Sequence, residues 1–125
     1  MTCPFCPPSL LIENIILENK FCLFLQHHEP ILKGSGVIVT RAHRENVFDI
    51  SPEEWRAAHK MIQQAKSMID EKFKPAGYNL GWNCGTVAGQ EIFHVHLHVI
   101  PRYADEPLAG KGIRYWLKQE ANRRE

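Results

Sequence analysis

The sequence predicts an α+β fold with an antiparallel sheet of about five strands, one long helix and a short C-terminal helix. Short apolar stretches of strand length lie in both halves of the chain, and a single long amphipathic stretch separates them. Grouped strands on either side of a helix, rather than strict alternation, favour an antiparallel sheet. Because 125 residues are enough for one core, we expect a single domain over residues 1–125.

The predicted strands are separated by turn residues. ENIILENKFCLFLQ predicts two short strands around a turn at residues 18–20, and GSGVIVTRA predicts a third strand entered through glycines. YNLGWN and FHVHLHVI predict two more strands after the helix, joined by the loop CGTVAGQE. The tail, residues 107–125, is expected to contain the short terminal helix.

The long helix has a clear start, face and end. Ser51 as N-cap, Pro52 in the first helical position and Glu54 in the third predict a capping box. Proline and glycine at positions 75 and 77 predict its end. The predicted buried face consists of Trp55, Ala58, Ile62, Ala65, Ile69 and Phe73, and the polar face of Lys60, Gln63, Gln64, Lys66, Asp70 and Glu71.

Composition and charge argue against several classes of protein. The apolar runs, such as FCLFL, are too short to span a membrane. With 15 Lys and Arg against 14 Asp and Glu, the net charge of +1 disfavours a polymeric nucleic-acid partner but not a small phosphorylated ligand. The N-terminus MTCPFCPPSLL lacks the basic and apolar regions of a secretion signal, so we expect a cytoplasmic protein with reduced cysteines.

Three histidines alternate with apolar residues in HVHLHV, which begins at His94. In a strand, the imidazoles would lie on one face, expected to be open, and the valines and leucine would face the core. The outer imidazoles would be about 13 Å apart along the strand, so the three cannot easily converge on one metal ion. At least one would remain free as a nucleophile or proton carrier towards a phosphoryl group. The alternative is a solvated strand, but strict alternation of three histidines favours a site.

The stretch HVHLHVI resembles the His-x-His-x-His pattern, with apolar x, of the histidine triad (HIT) superfamily. NCGTVAGQEIFH before it is similar to that family's nucleotide-phosphate loop. GSGVIVTRAHRENVFDIS is similar to the strand and histidine that precede the family's central helix. The resemblance runs from Cys3 to about Tyr103 and implies a HIT-like fold, a homodimer, and a purine nucleotide or nucleotide conjugate as ligand.

The resemblance also implies a reaction and the residues that perform it. His96 would attack the α-phosphorus of a nucleoside 5'-monophosphate derivative, a phosphoramidate or a dinucleoside polyphosphate, and water would cleave the nucleotidyl-histidine. His98 would contact the phosphate and assist departure of the leaving group. Asn83, Gly89 and Gln90 would contact the nucleotide or its phosphate, although each also suits a turn. The alternatives are a non-catalytic nucleotide-binding or scaffold protein, a metal-handling protein, and a nucleotidyl transferase. Histidine rather than glutamine at position 98 argues against the last.

The CPFC motif allows a redox dithiol, half of a zinc site, or a chance pair at a frayed end. A redox pair normally opens a helix after a strand, whereas two prolines follow here. One branch of the HIT family binds zinc through two N-terminal cysteines, the upstream histidine and the first triad histidine. The resemblance therefore implies a structural zinc held by Cys3, Cys6, His43 and His94, with residues 1–8 as the zinc-binding segment.

Two departures from the family pattern affect substrate recognition. Many members have a ribose-binding aspartate where FLQHHEP has Gln26 or His27. Glu91 stands where the phosphoramidase branch has serine, and a carboxylate there would alter the phosphate pocket. In the tail, Lys111, Arg114 and Trp116 would help select the leaving group if the tail folds over the pocket.

The other histidines and cysteines are predicted to be structural: His27, His28 and His59 at the surface or partly buried, and Cys22 and Cys84 as small core side chains.

Overall fold

The computed structural model describes residues 2–125, so Met1 of the predicted zinc-binding segment lies outside the described residues. The predicted α+β fold is confirmed. One antiparallel sheet has the strand order β1-β2-β3-β5-β4. Its strands are β1 Ile15–Glu18, β2 Cys22–Leu25, β3 Gly36–Thr40, β4 Gly77–Gly81 and β5 His96–Arg102, and the helices are α1 Pro52–Phe73 and α2 Ile113–Leu117. None of the helices found in residues 2–125 is long and apolar enough to cross a membrane.

The turn between β1 and β2 is closed by Asn19. Its side-chain oxygen accepts hydrogen bonds from the backbone of Phe21 at 3.0 Å and Cys22 at 2.8 Å, as asparagine does in a turn. Its amide nitrogen donates to the carbonyl of Ala57 at 3.1 Å. One side chain therefore closes the hairpin and attaches it to α1.

Helix α1 begins with the predicted capping box. Ser51 accepts a hydrogen bond from the Glu54 amide, and the Glu54 carboxylate accepts one from the Ser51 amide. The prediction that Trp55 is buried was wrong, because Trp55 is 51% exposed and stacks on Trp82 at 5.7 Å. Ala58, Ala65 and Ile69 of the predicted face are buried, and Glu54 and Met61 are the other buried residues of α1.

The two faces of the sheet pack against different parts of the chain. On one face, core residues of β2, β3 and β5, including Phe24 and Leu97, pack against α1. On the other face, Leu23, Leu25 and Val39 pack against residues that include Phe5 and Leu10 of the N-terminal segment, which comprises residues 2–14 before β1. The predicted core position of the apolar residues that alternate with the histidines is confirmed, because Val95, Leu97 and Val99 are all buried. The open face of the sheet is thus partly covered by the N-terminal segment.

Arg102 at the end of β5 fixes the start of the tail. Its guanidinium donates to Glu106 at 2.8 Å and to the backbone carbonyls of Leu108 and Lys111 at 2.8 and 2.7 Å. It also binds Asn79 of β4. The tail therefore continues beside β4, on the far side of β5 from β3.

Glu54 is the buried carboxylate at the start of α1, and only 2% of its surface is exposed. Arg44 donates from Nε to both carboxylate oxygens, at 3.1 and 3.2 Å. Burial opposes ionisation of Glu54, but the hydrogen bonds from Ser51 and Arg44 outweigh it and lower the pKa of Glu54. Because the Arg44 carbonyl accepts from the amide of Val95, the pair connects α1 to the chain beside the histidines.

We expect Glu54→Gln to destabilise the fold by about 2 kcal/mol, because Arg44 loses its charged partner, a loss moderated by the exposure of Arg44. A carboxylate with a lowered pKa stabilises the fold above its unfolded-state pKa and loses this effect as the pH falls through its folded-state pKa. Part of the acid sensitivity of the wild type should therefore be absent from the variant. Denaturant unfolding between pH 3 and 7 measures both effects, with Glu53→Gln, one residue away and exposed, as the control. Equal unfolding free energies at neutral pH for the two variants would contradict this role.

Candidate active site and metal centre

The four side chains predicted to bind zinc lie together. The ligand atoms of Cys3, Cys6, His43 and His94 are all within 4.8 Å of one another. Both thiol sulfurs lie 3.4 Å from Nδ1 of His94, and the Cys6 sulfur lies 3.5 Å from Nδ1 of His43. Tetrahedral zinc with ordinary bond lengths separates its sulfur and nitrogen ligands by about 3.6 Å, so the donor types and spacing fit this metal.

His94 is oriented by bonds on both sides of its ring. The ring is fully buried, and Nε2 lies 2.7 Å from the carbonyl oxygen of Thr40. Because a carbonyl only accepts, Nε2 carries the proton and donates, which leaves the lone pair of Nδ1 directed at the two thiols. Burial, with smaller contributions from His43 and His96, lowers the pKa of His94. The imidazole is therefore held in the neutral form that a metal requires.

The prediction of three histidines on one open strand face was wrong for His94. Strand β5 begins at His96, three residues later than the predicted start at Phe93, and His94 is inside the protein. The amide of Val95 donates to the carbonyl of Arg44 at 2.7 Å instead of joining the ladder with β3. The chain before β5 therefore follows the segment that contains His43, and this brings His94 to the cysteines.

His96 and His98 are half-buried on the open face of β5, as predicted. Because a carbonyl only accepts, Nδ1 of His96 donates to the carbonyl of His94 at 2.8 Å, and in this tautomer the lone pair is on Nε2. The rings of His96 and His98 are 4.9 Å apart, centroid to centroid. Burial, and the neighbouring His96, lower the pKa of His98. The arrangement therefore offers one nucleophilic nitrogen beside a second neutral imidazole.

Both imidazoles line a cleft of about 650 Å³, a size suited to a small ligand. The walls come from three parts of the chain: the N-terminal segment, strands β2 and β3 with their connection, and the loop between β4 and β5. Asn83 and Gly89 of that loop line the cleft, as expected for residues that contact a nucleotide. Gly89 has a φ of 97°, which a side chain would strain.

Gln90 is buried and supports the same loop from behind. Its side-chain oxygen accepts from the amide of Gly85 at 2.8 Å, and its nitrogen donates to the carbonyls of Glu45 at 2.7 Å and Ile92 at 3.2 Å. All of these partners are backbone groups, and Gln90 does not contribute to the cleft wall. Gln90 therefore ties residues 85–92 together and to the backbone of Glu45.

Phe5 is a cleft residue that the sequence reasoning did not identify. Its ring lies 5.7 Å from the ring of His94 and 5.3 Å from that of His96. The signal was present, because a residue between two cysteines that bind a metal with His94 has to lie near that histidine. The metal centre and the cleft thus share the segment between Cys3 and Cys6.

The positions that depart from the family pattern are separated by the structure. The Gln26 amide donates to the carbonyl of Gly34 at 2.8 Å, and this residue is outside the cleft wall. His27 is exposed and does line the cleft, together with Glu29 and Glu91. In the described chain, the tail residues at positions 111, 114 and 116 do not line it. Of the remaining residues, His28 and His59 are exposed and Cys22 is buried in the core, as predicted, whereas Cys84 is half-buried and outside the core clusters.

Comparisons with known proteins agree on one family. Residues 11–105 match the family model described as HIT domain. Protein hit from Bacillus subtilis is 31% identical over 88 residues, which cover 70% of this chain and 61% of the relative. The asymmetrical bis(5'-nucleosyl)-tetraphosphatase of Schizosaccharomyces pombe is 30% identical over 90 residues, which cover 72% of this chain and 50% of that enzyme. The chain thus spans only about half to three fifths of these two relatives.

A solved structure gives the same result for the fold. The crystal structure of a zinc-bound histidine triad family protein from Mycobacterium smegmatis matches with a TM-score of 0.74 and 25% sequence identity. The match covers 89% of this chain and 82% of the other. The similarity therefore extends beyond the residues that match the family model.

Proposed function

This chain belongs to the HIT domain family, and from that membership we propose that it is a nucleotide hydrolase acting through a covalent intermediate on His96. Its substrate is a nucleoside 5'-monophosphate derivative, either a phosphoramidate or a dinucleoside polyphosphate. The observation that carries the proposal is the hydrogen bond from Nδ1 of His96 to the carbonyl of His94. In the tautomer that this bond selects, the Nε2 lone pair is available for attack.

The reaction has two displacements at the α-phosphorus. In the first, Nε2 of His96 forms a bond to phosphorus, the bond to the leaving atom breaks, and that atom keeps the electron pair and takes up a proton. In the second, a water oxygen bonds to phosphorus, the P–N bond to His96 breaks, and the water loses a proton. The products are the nucleoside monophosphate and the protonated leaving group, and His96 is restored.

We propose that the surrounding residues stabilise the negative charge that develops on the phosphoryl oxygens and the leaving group. His98 donates a hydrogen bond to the phosphoryl oxygens and assists departure of the leaving group. Asn83 contacts the nucleotide, and Gly89 allows the backbone to approach the phosphate. Gln90 acts on the phosphate through the loop that its amide bonds hold in place. Each displacement thereby meets donors that are already oriented.

We further propose that Cys3, Cys6, His43 and His94 hold a structural zinc. The support is the closed set of two sulfur and two nitrogen donors at suitable spacing, and the zinc-bound relative of the same fold. A zinc with four protein ligands supplies cross-linking and no activated water. The residues it would hold are those that orient the site, because the His94 carbonyl positions His96 and Phe5 covers both rings.

Finally, we propose that the chain forms a homodimer through the surface beside β4, the edge strand that, within residues 2–125, pairs with β5 alone. On this side Trp55 is 51% and Leu80 42% exposed, and Trp55 stacks on Trp82. Exposed aromatic and apolar side chains next to the edge strand of a sheet are typical of a protein interface. A second copy of the chain would bury this surface.

Replacing His96 by alanine should abolish turnover, with a loss of at least about a thousandfold, because no other group supplies the attacking nitrogen. The measurement is release of AMP from an adenosine phosphoramidate and from a dinucleoside polyphosphate, with His59→Ala on the exposed face of α1 as control. Equal rates in wild type and His96→Ala would rule out the mechanism. Tight AMP binding without turnover of either substrate would favour the non-catalytic alternative, and transfer of the nucleotide to an added phosphate would favour the transferase.

Cys3→Ser should lose bound zinc, because the oxygen of serine is a much weaker ligand than a thiolate. Metal analysis of the purified proteins should give about one zinc per wild-type chain and much less in the variant. The matched control is Cys84→Ser, which replaces a half-buried cysteine outside the cluster and should keep the metal. The same zinc content in Cys3→Ser as in wild type would remove Cys3 from the site.

Leu80→Asp should convert the dimer into monomers, since an aspartate on each copy would be buried at the interface without a partner. Light scattering coupled to size-exclusion chromatography measures the molar mass, and circular dichroism checks that the variant folds. Ile31→Asp, which changes an exposed isoleucine in the β2–β3 connection, is the control. A monomeric wild type, or a folded Leu80→Asp protein of unchanged mass, would contradict the proposal.

A further inference from the structure

The charges lining the cleft are unusual for a site that handles phosphates. Two carboxylates, those of Glu29 and Glu91, lie in its walls, whereas no lysine or arginine of residues 2–125 does. Neither carboxylate takes part in an ion pair within the described chain. The cleft therefore presents uncompensated negative charge close to His96, and an anionic leaving group would be repelled.

The two carboxylates lie in connections between different strands, Glu29 between β2 and β3 and Glu91 between β4 and β5. Strand β3 pairs with one side of β5, where Val37 is opposite His98. The apolar cleft residues Leu25, Leu32 and Val37 belong to β2, β3 or their connection, so this side suits a nucleoside. Glu29 is on this side, and its Oε1 already accepts from the amide of Ile31 at 2.9 Å.

Glu91 lines the cleft from a different part of the chain than Glu29. It belongs to the connection between β4 and β5, and β4 pairs with the other edge of β5. The neighbouring Gln90 is buried and bonded to the backbone, which fixes the path of the chain at this point. The Glu91 side chain is exposed to the cleft, where it makes no hydrogen bond to another residue of the described chain. With the nucleoside against the apolar residues of β2, β3 and their connection, the leaving group would extend towards the wall that contains Glu91.

We propose that Glu91 determines leaving-group specificity and that the cleft selects nucleotide phosphoramidates whose departing amine carries a positive charge, an inference that rests on the proposed hydrolase function. In this reaction Nε2 of His96 bonds to phosphorus and the P–N bond breaks. The amine nitrogen keeps the electron pair, takes up a proton and departs with its cationic group beside Glu91. Water then releases the nucleoside monophosphate from His96. A dinucleoside polyphosphate is disfavoured, because its leaving group is a polyanion.

The test uses three adenosine 5'-phosphoramidates with leaving amines of similar length. They are made from ethylenediamine, ethanolamine and β-alanine, and therefore end in an ammonium group, a hydroxyl and a carboxylate. The wild type should show the highest kcat/KM for the ammonium substrate and the lowest for the carboxylate. Glu91→Gln should reduce this cation-to-anion ratio at least about tenfold, the effect of unit charges several ångströms apart near a protein surface. Comparing ratios cancels the intrinsic reactivity of each amine.

Further variants separate charge from shape. Glu91→Lys should invert the order of the two charged substrates, whereas Glu91→Asp, which keeps the charge, should preserve it. Glu53→Gln, which removes an exposed carboxylate on α1, should leave all three values unchanged. The wild-type ratio should also fall as the salt concentration rises, because Glu91 is exposed and its field is screened.

The outcomes distinguish this inference from the proposed function. If Glu91→Gln and the wild type have the same cation-to-anion ratio while His96→Ala is inactive on the hydroxyl substrate, the role of Glu91 is refuted and the hydrolase function stands. If the wild type cleaves none of the three phosphoramidates, both are refuted for this substrate class. Circular dichroism of each Glu91 variant shows whether it is folded, and Glu91→Asp gives a second reading if Glu91→Gln is not.

Discussion

The site depends on the way His94 is satisfied inside the protein. A buried imidazole is unfavourable unless both ring nitrogens have partners, and here Nε2 donates to Thr40 while Nδ1 faces two thiols. These contacts fix the ring and with it the backbone of the same residue. The backbone carbonyl of His94 then accepts from His96. One buried histidine thereby connects the metal ligands to the tautomer of the proposed nucleophile.

The N-terminal segment has two consequences for the sheet. It covers the hydrophobic residues of β2 and β3 on the face that α1 leaves open, and it contributes Phe5 to the cleft beside His96. Cys3 and Cys6 hold the two ends of this short wall at His94. A metal at this centre would therefore stabilise the packing of the sheet and the shape of the cleft together, although it would take no part in the chemistry.

In the loop between β4 and β5, one residue holds the loop in shape and its neighbours line the cleft. Gln90 is turned into the protein, where its amide replaces the ladder hydrogen bonds that an irregular loop lacks. Asn83, Gly89 and Glu91 consequently face the cleft on a backbone of fixed shape. Since the support is made by backbone bonds, the side chains at the cleft can differ between proteins without loss of the loop. The side chains of this loop would therefore determine which leaving groups the cleft accepts.

Local patterns predicted much of the fold. The Asn19 turn, the strand alternation after His96 and the Ser51 capping box depend on residues close in sequence, and the structure contains all three. Long-range contacts explain the failures. Glu54 is buried where Trp55 had been predicted to be, because Arg44 pairs with the Glu54 carboxylate. Hydrophobic periodicity along the helix cannot reveal this contact. The tail does not line the cleft because Arg102 binds it beside β4.

For the site, the sequence determined the residue types: histidines at alternate positions, a pair of cysteines, and a glycine-containing loop. The family resemblance also implied which four side chains could bind a metal together. Only the tertiary structure decided that His94 leaves the strand, that Phe5 touches His96, and that Gln90 supports the loop while Glu91 lines the cleft. These outcomes depend on which backbone groups and side chains from distant parts of the sequence contact each residue. Burial and hydrogen bonding are set by the packing of the folded chain, and the local sequence does not specify them.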